Sequence, residues 1–241
     1  MQVPQKVKEC GVEQLVFSSK NGKTIPYCQG VYSPEQPNSY AMLLFFHGAG
    51  ERGDNNLSQL FHGVQQFADF AREHRFKLVV LAPQCPNGQQ WVNVPWGSTA
   101  HTLPEEPADP MKLALELLDS KITEFNVDKN RIYVSGLSMG GYGAWDAVSR
   151  RPDFFAAAFP VCGGADELQA EKLKNLPVLI YHGELDTAVL TQRSRNMYAA
   201  LKQAGSQSVT YVEVPGGLHD SWNPAYKNPN NLVWFFSQKK H

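Results

Sequence analysis

The sequence predicts an α/β fold: a mostly parallel sheet of about eight strands, helices on both faces, and an antiparallel hairpin at its start. Three observations carry this expectation. Short apolar runs of strand length alternate with segments of helical periodicity. Tyr40–Phe46 and Lys77–Ala82 are almost wholly apolar, as strands covered on both faces are. Near the N-terminus, Glu13–Ser18 and Thr24–Tyr32 read as strands around Asn21-Gly22, a turn dipeptide that accepts positive φ.

The remaining elements follow in order. Leu57–His74 reads as a helix. Met111–Phe125 carries Leu113, Leu117, Leu118 and Ile122 on one helical stripe. Arg131–Ser135 is a strand, and Met139–Arg150 is a helix that stops before Pro152. Phe154–Val161 and Pro177–Tyr181 are strands. Thr191–Gln203 is a helix with Gly205 just past its end. Ser208–Val214 is the last strand and Asn230–Gln238 the last helix. The whole chain, 1–241, is expected to form one domain. Pro86–Asp109 breaks the rhythm, with four prolines, Trp91, Trp96 and no period. It is expected to be an ordered loop forming one wall of a site.

Composition removes several classes of function. The chain has 241 residues, of which 42% are hydrophobic, enough for a sizeable core. Its 22 Lys plus Arg against 23 Asp plus Glu leave a net charge of −1, and no basic block points to nucleic acid. No apolar run approaches a membrane span. Met1–Lys6 lacks an apolar signal-peptide core, so the chain is read as cytoplasmic, or as a mature secreted or periplasmic form. Cys10, Cys28, Cys85 and Cys162 have no metal-ligand spacing and are expected as free thiols, with a Cys10–Cys28 disulfide left open.

The chemistry-bearing motif is Gly136-Leu137-Ser138-Met139-Gly140, G-x-S-x-G between a predicted strand and a predicted helix. The turn is so tight that side chains at Gly136 and Gly140 would collide with backbone. It presents the Ser138 hydroxyl above the sheet, at a helix N-terminus that favours developing negative charge. A serine hydroxyl needs a base, and on such an elbow the acid and then the histidine follow it in the chain. His182, His219 and His241 follow Ser138. His241 is terminal and expected to be mobile. His182 ends a strand and precedes the later acids. His219, in a glycine loop after the last strand, is the expected base. Asp186 is the expected acid, Glu184 the alternative, and Asp220 lies too close to His219. Ser138 Oγ should then lie roughly 2.6–3.2 Å from His219, with Asp186 at the other ring nitrogen.

An oxyanion would need two backbone donors, expected at Met139 and at Ala49 in the loop His47–Gly53. Trp91, Trp96, Tyr142 and Trp222 are candidate pocket residues, with packing onto the core the equal alternative for the three tryptophans. Trp145 is expected in the core. Glu51 and Arg52 are expected to pair with each other rather than to position substrate. Cys162 is expected to be a packing thiol.

Taken together, these segments resemble the α/β-hydrolase superfamily. The narrower resemblance is to the esterases labelled predicted peptidase or phospholipase/carboxylesterase, with feruloyl and acetyl-xylan esterase relatives. Matching stretches are His47–Gly53, Ala82–Pro86, Arg131–Gly143, Pro160–Gly164 and His219–Trp222. Leu190 stands where such enzymes often carry proline. The resemblance implies a serine ester hydrolase without metal or organic cofactor or large lid, with Ser138, Asp186 and His219 as its triad. The expected substrate is a small or polysaccharide-linked ester. A peptidase and an acyltransferase would use the same three residues.

Overall fold

In the computed structural model, residues 4–33 and 35–240 are described. Residues 1–3, Pro34 and His241 lie outside the described residues, and with them the expectation for His241. Eight strands form one sheet: β1 (Val12–Ser18), β2 (Thr24–Tyr32), β3 (Tyr40–Phe46), β4 (Leu78–Pro83), β5 (Val127–Leu137), β6 (Ala157–Val161), β7 (Val178–Gly183) and β8 (Val209–Val214). Their order is β1-β2-β4-β3-β5-β6-β7-β8. β1 pairs antiparallel with β2, and β2 antiparallel with β4; every other pairing is parallel. Gly22 takes φ 77° in the hairpin turn, the conformation its sequence anticipates.

Pleating explains why the apolar runs are continuous. In β3, Met42, Leu44 and Phe46 enter one core, while Ala41, Leu43 and Phe45 enter the other. One face is covered by α3 (Asp109–Glu124), α4 (Met139–Arg150), the short α5 (Ala170–Leu173) and α6 (Gln192–Gln203). The opposite face is covered by α1 (Gln5–Cys10), α2 (Val64–Glu73), α7 (Trp222–Lys227) and α8 (Pro229–Ser237). Trp145 is buried as expected, and all four cysteines are free and buried.

The helix expected over Leu57–His74 is shorter. Ser58–Leu60 winds as one 3₁₀ turn, and α2 begins only at Val64. Gly63 separates them at φ 81°, against the Phe45 ring, where a Cβ would clash. The strand expected over Phe154–Val161 starts at Ala157, because Arg151–Phe154 forms a turn after α4. No described helix is long and apolar enough to cross a membrane.

Candidate active site

Ser138 lies between β5 and α4, with φ 54° and ψ −121°. A non-glycine residue held there is strained and persists only where its surroundings enforce it. The neighbouring glycines are part of that enforcement. A Cβ on Gly136 would strike the Gly140 carbonyl, and one on Gly140 the Phe46 carbonyl. Ser138 N–H also donates to Val161 O at 2.9 Å, tying the elbow to the end of β6. The side chain remains half-exposed. The first N–H groups of a helix have no partner within it, so α4 presents its Met139 end beside the hydroxyl.

Ser138 Oγ lies 2.9 Å from His219 Nε2, and His219 Nδ1 lies 2.7 Å from Asp186 Oδ2. A carboxylate only accepts, so Nδ1 carries the ring proton and Nε2 is left to receive the Ser138 hydroxyl. Asp186 is fully enclosed, and its Oδ1 accepts from Ala188 and Val189 N–H at 2.8 and 3.0 Å. Burial alone would raise its pKa. Hydrogen bonds from His182, His219 and Val189 outweigh burial and hold the carboxyl well below the usual carboxylate range. Glu184 turns elsewhere: its Oε2 accepts from Gly216 N–H at 2.8 Å and braces the loop that carries His219. Gly183 admits that loop, since a Cβ there would meet the Leu218 carbonyl.

On the other side of Ser138, β3 runs into His47. This ring is fully buried; its Nδ1–H donates to Gly48 O at 2.6 Å, and Nε2 accepts Cys85 N–H at 2.9 Å. Burial pushes its pKa down to about 4, so at neutral pH it is an uncharged spacer. A Cβ on Gly48 would sit 3.6 Å from Ser138 Cβ, so the loop abuts the serine. Ala49 opens a 3₁₀ turn there, and its carbonyl accepts from Arg52 Nε at 2.8 Å. Glu51 and Arg52 do not pair. Arg52 bonds the Ala49 and Gln89 carbonyls and covers the Trp96 ring, while Glu51 faces His62 Nε2 at 3.8 Å.

The pocket expectations divide. Trp91 is fully buried against Phe46, and its Nε1–H donates to His47 O at 3.0 Å; it is a core residue that holds the loop, not a pocket wall. Tyr142 is likewise buried, with its hydroxyl on Trp96 O at 3.3 Å. Trp96 is half-buried beneath Arg52. Trp222 remains beside the site, edge-on to the His219 ring at 5.4 Å and 5.3 Å from His62. The proline-rich segment is ordered and pinned: Asp166 accepts Leu103 N–H at 2.9 Å, Arg150 donates to Pro104 O at 2.8 Å, and the buried Arg193 bonds His101.

Cys162 lies under the site. Its Sγ, an Asp186 oxygen and a His219 nitrogen fall within 4.8 Å of one another, close enough to share an ion. Burial pushes this thiol far above its usual range, and the Asp186 and His219 atoms are already engaged with each other and with Ser138. Sequence reasoning missed His47 and His182 as parts of this network. Their only signal was the pair His-Gly at the ends of β3 and β7.

A sheet in this order, with serine, carboxylate and histidine meeting above the ends of β5, β7 and β8, defines an α/β hydrolase. The chain belongs to the phospholipase/carboxylesterase family, whose profile matches residues 27–228. It is 33% identical over 208 residues to a bifunctional acetylxylan esterase/xylanase of Neocallimastix patriciarum, covering 82% of this chain and 28% of that protein. It is 27% identical to lysophospholipase-like protein 1 of Mus musculus, covering 81% of this chain and 85% of that one. A solved thermostable esterase superposes with TM-score 0.86 at 34% identity, covering 95% of this chain and 63% of that chain. A ferulic acid esterase shares the fold, with TM-score 0.68 at 18% identity over 94% of this chain and 97% of that chain. The chain thus spans less than two thirds of the acetylxylan esterase/xylanase and of the thermostable esterase.

Proposed function

We propose that this protein is a serine carboxylesterase working through an acyl-enzyme on Ser138. The observation that carries the reading is the continuous hydrogen-bonded line Ser138–His219–Asp186, at 2.9 and 2.7 Å. His219 Nε2 takes the hydroxyl proton as Ser138 Oγ bonds to the ester carbonyl carbon. The carbonyl oxygen becomes an oxyanion facing the N–H groups of Met139 and Ala49. The carbon–alkoxy bond then breaks, and His219 returns its proton to the departing alcohol. Water gives a proton to the same nitrogen as it attacks the acyl carbon. Collapse restores the Ser138 hydroxyl and releases the acid. Asp186 stays ionised throughout and stabilises the imidazolium. The proposed cycle calls on no metal or organic cofactor.

Acetyl or feruloyl esters on plant polysaccharide are the proposed substrates. The 33% identical relative named for acetylxylan supports this, as does Trp222, half-buried beside His219 and able to stack on a ring. The test is hydrolysis of p-nitrophenyl acetate, butyrate and octanoate, with methyl ferulate beside them, by wild type and Ser138→Ala. Turnover lost in the variant supports the acyl-enzyme, and the ranking of esters bounds the acyl group. Turnover that survives Ser138→Ala overturns it. Added alcohol that captures the acyl group in place of water would make the protein an acyltransferase.

A further inference from the structure

Asp186 is held by two histidines, and only one of them reaches Ser138. The second, His182, ends β7, and its side chain is as fully enclosed as that of Asp186. Its Nε2 lies 2.9 Å from Val189 O and 3.2 Å from Asp186 Oδ2. A carbonyl oxygen only accepts, so Nε2 carries a proton shared between these two acceptors. Nδ1 lies 2.7 Å from the Ser194 hydroxyl on α6, which fixes the ring from its other side.

We propose that His182 is a positioning residue: anchored by Ser194 and Val189, it aims the Asp186 carboxylate at His219 and so extends the hydrogen-bonded line to five members. This rests on the reading of Ser138, His219 and Asp186 as the reacting set. Four donors converge on the carboxylate, two backbone amides on Oδ1 and two imidazoles on Oδ2. The amides alone leave Oδ2 with the single bond to His219, whose ring sits on a glycine loop. His182 supplies the second, rigid bond from within the sheet. Because both side chains are shut off from solvent, water does not replace it. Glu213, the partner of His182 in the β7–β8 register, is taken up by Arg195 at 2.8 and 2.6 Å and by the Tyr211 hydroxyl at 2.6 Å. The carboxylate that His182 serves is therefore Asp186.

The test compares His182→Leu, His182→Gln and Ser194→Ala with wild type and Ser138→Ala. Two readouts are used: steady-state kinetics on p-nitrophenyl acetate, and the low-field proton resonance of the His219 Nδ1–H hydrogen bond. His182→Leu is expected to lower kcat by about 10- to 100-fold with KM within about twofold, and to move the low-field resonance. His182→Gln, whose amide N–H reaches the ε position, is expected to return kcat to within about fivefold of wild type and restore the resonance. Ser194→Ala is expected to cost about threefold in kcat.

A folded His182→Leu with wild-type kcat and an unmoved resonance overturns the proposal, as does a His182→Gln no better than His182→Leu. If His182→Leu does not fold, Ser194→Ala with wild-type kcat and an unmoved resonance overturns it. Activity that survives Ser138→Ala strikes the underlying triad instead, whatever the His182 variants do.

Discussion

Two fully buried histidines stand on either side of Ser138, and they hold different kinds of structure. His47, at the end of β3, bonds only backbone: Gly48 O and Cys85 N–H. His182, at the end of β7, bonds a carboxylate and a hydroxyl besides the Val189 carbonyl. The first shapes a loop and the second aims a side chain. Damage around His47 should therefore appear in stability and carry activity with it. Damage on the His182 side should appear in kcat while the fold survives.

The largest effect that sharpens this contrast is Asp186→Asn. It keeps the shape of the carboxylate side but removes its charge and favours the wrong His219 tautomer. A fall of about 10⁴-fold in kcat with a near-wild-type melting temperature is expected. Glu184→Gln, a few residues away, should stay within about twofold, since it braces a loop through one exposed bond. Equal losses in the two would break the assignment.

On the His47 side, Trp91→Ala should cost about 3–5 kcal/mol in denaturant unfolding, through the cavity left against Phe46 and the donor lost from His47 O. A melting temperature unchanged by Trp91→Ala would mean that the loop holds without its prop.

The pH dependence comes next. His47 titrates near its ordinary value in the unfolded chain but at about 4 when folded. Protons therefore favour the unfolded state between these two values. The stability is fully present above about pH 6.5 and is lost as pH falls toward 4, about 3 kcal/mol in all. His101, also pushed down to about 4 by burial and Arg193, adds a weaker slope of the same sign. His47→Gln should flatten the curve over this window; an unchanged slope would assign it to other groups.

The smallest effect is Trp222→Ala, which flanks the site without holding it. A rise of a few-fold in KM, about 1 kcal/mol, with melting temperature nearly unchanged is expected.

What the sequence disclosed depended on how local the signal was. β3 was legible because both its faces are buried, and α4 because its start is the elbow and its end precedes Pro152. Ser138 is legible in its local G-x-S-x-G pattern, and chain order after it points to the two loops bearing Asp186 and His219. The apolar spacing over Leu57–His74 continues through Gly63 and so predicts a longer helix than forms, because the need of Gly63 for positive φ depends on Phe45, a residue of another element. α1, α5 and α7 are too short for periodicity to mark them. Trp91 gave no sign of its direction, because that depends on how the proline-rich segment folds over His47. His182 bonds Ser194, Val189 and Asp186. Its bond to Asp186 spans four positions, but it is made by a turn beyond the strand that no local pattern announced.

The pairing of β3 with β5 sets Met42 beside Ile132 and Phe46 beside Gly136, across a stretch of chain that contains β4 and α3. The elbow glycines pack against the end of β3, so Ser138 adopts its strained backbone only when that distant pairing is complete. Non-local pairings of this kind form slowly, because long loops must close before their contacts reward them. Helical signal after dilution from denaturant should therefore return ahead of turnover of p-nitrophenyl acetate, and the lag between them would time the closure of the central sheet.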